Sequence, residues 1–119
     1  MNVESTRLYC LSKPGTTEDT PFGEDVLVFK VMGKMFALTN LSRLPLSVAL
    51  KCDPERAVDL RERYDAIVPP YHMNKVHWNE IIFDGSVPDA LIRELIDHSY
   101  DLVVAGLKKV DRERLAAMS

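Results

Sequence analysis

The longest periodic signal in the chain lies near its end, where Leu91, Ile92, Leu95, Ile96, Ser99, Leu102, Val103 and Gly106 recur mostly at three- and four-residue spacing. Such spacing gathers them on one side of a helix, which Pro88 opens and the basic pair Lys108-Lys109 suits as a C-terminus. A second stripe, Ala57, Leu60 and Tyr64, follows Asp53-Pro54. An N-cap oxygen followed by a proline at the first helical position predicts a helix start there. Residues 4–12 predict a shorter helix, with Leu8 and Leu11 on its packed side, ended by Pro14-Gly15.

Elsewhere the period is two. Val26 to Met32 is rich in β-branched and aromatic residues, Gly33 interrupts it, and Lys34 to Thr39 resumes it, which predicts a hairpin. Leu27, Phe29 and Val31 would share one face, with Lys30 on an opposite, partly wet one. Leu46 to Lys51 predicts a third strand, and Trp78 to Phe83 another, closed by a turn at Asp84-Gly85. Ile67-Val68 offers a further short strand. Thr16 to Asp25 is polar and acidic, so it is expected to be a turn anchored by a buried Phe22. The predicted order is α-β-β-β-α-β-α: an α+β fold whose mostly antiparallel sheet is covered on one face by helices.

With 119 residues, 46% apolar and 28% charged, the chain is expected to form a single domain over 1–119 around one core. No apolar run reaches the roughly 20 residues a membrane helix needs, so no membrane partner is expected. Met1-Asn2-Val3-Glu4 does not resemble a signal peptide, and the expected address is the cytoplasm. Cys10 and Cys52 suit small core residues rather than a disulfide framework.

Charge changes the picture. The net charge is −3, yet Val26 to Cys52 contains Lys30, Lys34, Arg43 and Lys51 with no acid, and Ala66 to Asn79 contains Lys75 with none. If the fold brings the two stretches together, an acidic molecule has one basic face suited to an anion. Lysines at strand ends also serve simply to block edge pairing.

The chemistry-bearing residues concentrate in Pro69-Pro70-Tyr71-His72-Met73-Asn74-Lys75-Val76-His77-Trp78-Asn79. Two prolines stiffen the entry, and a row of planar and hydrogen-bonding side chains follows. Lysine neutralises phosphate, rings stack on bases, and a carboxamide can pair with adenine, so this is the vocabulary of nucleic-acid contact. Sugar and small-anion sites use the same residues. A structural role, with Tyr71 and Trp78 packed into the core, is the alternative for the whole stretch. His72 and His77 are five apart, wrong for one helix face, and no metal is expected. There is no Walker loop and no G-x-G-x-x-G, and no nucleophile signature surrounds either cysteine, so neither cofactor nor catalytic set is expected.

Pro21-Phe22-Gly23-Glu24, Val28-Phe29-Lys30-Val31, Gly33-Lys34-Met35-Phe36-Ala37-Leu38, Leu50-Lys51-Cys52-Asp53-Pro54, Tyr71-His72-Met73-Asn74-Lys75, His77-Trp78 and His98-Ser99-Tyr100-Asp101-Leu102-Val103 together resemble the MmcQ/YjbR family of small bacterial proteins. The resemblance runs from about Glu4 to Lys108. It implies a CyaY-like α+β fold and DNA binding through a double-wing motif. A CyaY-like fold also raises iron binding on an acidic first helix, but Glu4 is the one acid before Glu18-Asp19, so iron delivery is not expected.

The resulting expectation is a monomeric or weakly dimeric DNA-binding protein that catalyses nothing. Its contacts are expected from Lys30, Lys34, Lys51, His72, Asn74, Lys75, His77 and Asn79. Two alternatives remain open: a small-ligand protein or enzyme with a pocket around Tyr71, His72, Asn74, His77 and Trp78, and a protein-interaction module using the same sheet face.

Overall fold

The basis of the structure is a computed structural model, which describes residues 1–118. Helix α1 (Val3–Leu11) starts at Asn2, whose side chain accepts from the Ser5 amide while the Ser5 hydroxyl takes the Asn2 amide. Its buried positions are Thr6 and Cys10, whereas Leu8 stands 57% exposed. Of the two leucines expected on the packed side, Leu11 is partly buried against the core and Leu8 is not, because the inward side of the helix is centred on Thr6 and Cys10.

Strand β1 (Thr16–Asp19) was expected to be loop. It is an edge strand with a mostly exposed burial pattern, so no apolar alternation marks it. It is held by backbone pairing with β2 (Val26–Val31) and by Glu18, which accepts two hydrogen bonds from Arg7 of α1 at 2.8 and 2.6 Å. Phe22, in the turn between them, is 67% exposed rather than a buried anchor.

Met32-Gly33 turns β2 into β3 (Lys34–Asn40), with φ of +50° and +82°. Two consecutive positive φ values give the turn the twist of its flanking strands, and glycine accepts that geometry without strain. The register shifts at Phe29/Lys30, where Phe29 faces Ala37 and Lys30 faces Met35, leaving Phe36 as an extra residue. A bulge of this kind changes which face the following side chains occupy. Here it turns Phe36 toward the helices, edge-on to Tyr100 with ring centroids 5.4 Å apart.

Strand β4 (Ser47–Lys51) follows, then helix α2 (Pro54–Arg63), capped by Asp53, whose carboxylate accepts from the Arg56 amide. Two-residue β5 (Ile67–Val68) and β6 (Trp78–Ile82) complete an antiparallel sheet ordered β1-β2-β3-β4-β6-β5. Helix α3 (Asp89–Ala105) lies across β3 and β4, burying Ile92, Leu95, Ile96, Ser99, Tyr100 and Val103. β3 pairs with β4 through Ala37↔Leu50 and Leu38↔Ala49. Beside the bulge, Ser99 takes over: its hydroxyl donates to the Phe36 carbonyl at 2.6 Å and accepts from the Lys51 amide at 2.9 Å.

The chain does not end in a basic helix terminus as expected. Lys109 begins a further helix, α4 (Lys109–Met118), whose Leu115 is buried. A Cβ on Gly15 (φ +68°) would come within 2.6 Å of the Leu115 side chain, so glycine there serves both the turn and the packing of α4. The architecture is α+β, with helices against one face of an antiparallel sheet.

Candidate functional site

Side chains alternate along a strand, so the register sorts the sheet into two faces. Phe29, Val31, Ala37, Val48, Leu50 and Ile81 belong to the core under the helices. The opposite face carries Val28 and Lys30 of β2, Met35 and Leu38 of β3, Ala49 and Lys51 of β4, and Trp78 and Glu80 of β6.

A cleft of about 440 Å³ opens on this second face. Its base is apolar, with Val26, Met35, Leu38 and Ala49 from the strands. The segment Pro70–Asn74 forms one wall and the exposed ring of Phe22 contributes another side. Buried Pro70 seats the segment against the sheet. Beyond it Asn74 Oδ1 accepts from the amides of Val76 (2.7 Å) and His77 (3.2 Å), closing a turn.

One end of the cleft is polar. Glu80 is only 5% exposed, and a buried carboxylate is tolerable only when its lone pairs are matched by donors. Oε2 accepts from Arg43 Nη1 at 2.7 Å and from the Ser47 hydroxyl at 3.0 Å, and Oε1 from the Tyr71 amide at 3.3 Å. The Arg43 guanidinium also lies over the Tyr71 ring, 4.3 Å from its centroid, and His72 meets that ring at 4.1 Å. Asn40 accepts from the Ser42 amide and hydroxyl, fixing the loop that delivers Arg43. Glu80, Ser47, Arg43 and Tyr71 therefore form one unit joining β4, β6, the β3–β4 loop and the cleft wall. Sequence reasoning passed over Glu80 because eighteen acids offered no ranking. The available signal was an acid in a strand position that alternates onto the same face as Trp78 and Ile82.

The other end of this face is basic. β2 ends, β3 begins, β4 ends and β6 begins at the same edge of the sheet, which brings Lys30, Lys51 and the approach to Trp78 together on this face, while Lys34, paired in register with core-facing Val31, alternates to the other side of that edge. Lys51 pairs in register with half-buried Trp78, and Lys34 and Lys75 are exposed. Lys30 is partly covered and sits 3.5 Å from Asp19, so part of its charge is already answered.

The expected contact residues divide accordingly. His72 and Asn74 line the cleft; His77 is exposed, its carbonyl accepting from the Cys52 amide at 2.8 Å. Asn79 is 3% exposed and faces the helices, donating to the Ala57 carbonyl at 3.2 Å and accepting from Arg61 at 2.8 Å. A carboxamide so placed pins α2 to β6 and has no access to a base. Of the expected pocket, Tyr71, His72 and Asn74 do line the cleft, while His77 and Trp78 lie outside its lining. Trp78 is half-buried on the open face and Tyr71 is 64% exposed, so neither belongs to the core beneath the helices.

Burial pushes the Cys10 thiol up to about 12 and raises that of Cys52, so neither offers a ready thiolate. His98 of α3 sits at the start of α2, where its Nε2 accepts from the Asp53 amide at 3.1 Å. Its pKa is lowered, first by burial and then by Arg56, against the opposing pull of Asp53, Asp101 and Glu94. Among the described residues no three His, Cys, Asp or Glu side chains converge as a metal site. No described helix is long and apolar enough to cross a membrane.

Known proteins resemble the chain over nearly its whole length. YbdF of Escherichia coli is 38% identical over 112 residues, covering 94% of this chain and 92% of its own. YjbR of Escherichia coli is 32% identical over 118 residues, covering 99% of this chain and all of YjbR. The crystal structure of the Deinococcus radiodurans protein DR2400, with a DUF419 domain, superposes with a TM-score of 0.88 at 41% identity, covering 97% of this chain and 88% of that one. A Pseudomonas syringae crystal structure matches with a TM-score of 0.75 at 29% identity, over 86% of this chain and 98% of its own. The YjbR family model matches residues 11–102, and with these relatives it establishes that the chain belongs to the YjbR family.

Proposed function

We propose that this protein binds DNA without catalysing a reaction, using the basic end of its open sheet face together with the segment around Lys75 and His77. The observation that carries the reading is the meeting of Lys30 and Lys51 with the start of β6 on the sheet face away from the core, with Lys34 at the same edge of the sheet. The family resemblance, with its double-wing DNA-binding description, supports the same reading. Lys34, Lys51 and Lys75 are the phosphate contacts, and half-buried Trp78 beside Lys51 is the ring available for stacking. Lys30 contributes less, because Asp19 competes for it. Asn74 presents a carboxamide whose oxygen is already engaged by two amides, so it is a poor bidentate reader of adenine. Such contacts favour binding with little sequence preference.

Fluorescence anisotropy of a labelled duplex across a salt series tests the proposal. Log affinity should fall linearly with log salt, and Lys75→Ala should lower the slope by about one unit, as expected for one lost phosphate contact. Absence of binding at low salt, or salt-independent binding, would sink the reading.

A further inference from the structure

The cleft is physically distinct from the basic edge, and its chemistry differs. Its volume of about 440 Å³ lies within the roughly 300–1,000 Å³ of small-molecule sites. The strands give it an apolar base, while Met35, Met73 and Phe22 supply side chains able to adjust to a guest. Charge is confined to the end holding Arg43 and Glu80.

These two charges are not equally available. Glu80 already accepts from Arg43, Ser47 and the Tyr71 amide, so its carboxylate is occupied in holding the wall and the arginine. Arg43 donates to Glu80 through Nη1, which leaves the other N–H groups of its fork for a second acceptor. The ion pair and the Tyr71 ring beneath it hold the guanidinium in place, so an incoming acceptor meets an ordered cation. A cationic guest would have to strip Arg43 from Glu80. A dianion would add two negative charges, where a monoanion adds one, beside a guanidinium that Glu80 already shares and that is the one lysine or arginine among the described lining residues, so the singly charged guest is the better match.

We infer that the cleft is a binding site for small monocarboxylates with an apolar body, the carboxylate resting on Arg43 and the body on Leu38, Ala49 and Met35. The site is separate from the proposed DNA contacts, and the inference stands or falls independently of them. Glu80 is its positioning residue, aligning Arg43 without touching the ligand.

The test uses the full chain with carbon-13-labelled methionine methyls, titrated with 2-naphthoate and with octanoate. The corresponding alcohols, 2-naphthalenemethanol and octanol, serve as uncharged controls. Both acids should shift the Met35 and Met73 methyl signals saturably. Each acid should bind about tenfold or more tighter than its alcohol, the effect of one charge-assisted hydrogen bond. Arg43→Gln should bring acid and alcohol to within about twofold, on the same reasoning. Phe22→Ala, at an exposed position, should weaken acids and alcohols alike and leave their ratio unchanged. The ratio in the unmutated chain decides the matter even if Arg43→Gln fails to fold. Equal affinity for acid and alcohol overturns the inference, as does binding that leaves Met35 and Met73 unmoved, or no binding of either acid at millimolar concentration.

Discussion

The two faces of the sheet are built from the same strands but solve different problems. Beneath the helices, Phe29, Val31, Phe36, Val48, Leu50 and Ile81 are essentially solvent-free, and Ser99 replaces the ladder bond that the bulge removes. On the other side the cover is a loop rather than a helix, and a buried carboxylate with its arginine takes the place of apolar packing. The difference teaches where stability and function separate: dispersion and burial dominate the first face, and a preorganised polar unit beside unfilled space dominates the second.

Substitutions can test how sharp that division is. The largest effect is expected from Phe36→Ala, which removes a ring with no solvent exposure from the bulge and its edge contact with Tyr100. A loss of ~3–5 kcal/mol is expected in urea unfolding. A loss below ~1 kcal/mol, the scale of an exposed site, would show that the bulge relaxes to fill the space. Glu80→Ala should cost about 2 kcal/mol, since it releases three donors, one of them charged. It should also free Arg43 and the Tyr71 segment, read as faster hydrogen exchange at the Tyr71 amide. If stability falls but exchange does not change, the wall is held by Pro70 rather than by Glu80.

The smallest effect concerns pH and belongs to the helix side. The lowered pKa of His98 means that folding favours the neutral ring, which accepts from the Asp53 amide. Its contribution is therefore full above the ordinary histidine value of ~6.5 and is lost as pH falls through the lower folded value. Unfolding measured across that window should show stability declining toward acid, and His98→Ala should flatten this component of the slope.

Much of the fold was legible because its causes are local. Asp53-Pro54 marks a helix start wherever it lies, and the stripe from Ile92 to Val103 buries the same seam in the structure that its spacing indicates. Elements stabilised from outside their own residues were not. β1 has no apolar alternation and exists because β2 and Arg7 hold it, and α1 buries Thr6 and Cys10 while Leu8 stays exposed. Family membership was also readable, since it depends on ordered blocks of identity rather than on any contact.

The organising segment shows the limit most clearly. Its sequence by itself determined a stiff entry at Pro69-Pro70 and a row of residues able to meet an anion. Only the tertiary structure decided that Asn79 turns inward to pin α2, that Asn74 closes a turn, and that Tyr71 and His72 wall a cleft. It likewise paired Glu80 with Arg43, 37 positions earlier in the chain. The reason is physical: strand alternation fixes which residues share a face, but the register between strands and the bulge at Phe36 fix which of them meet. That register is a property of the assembled sheet.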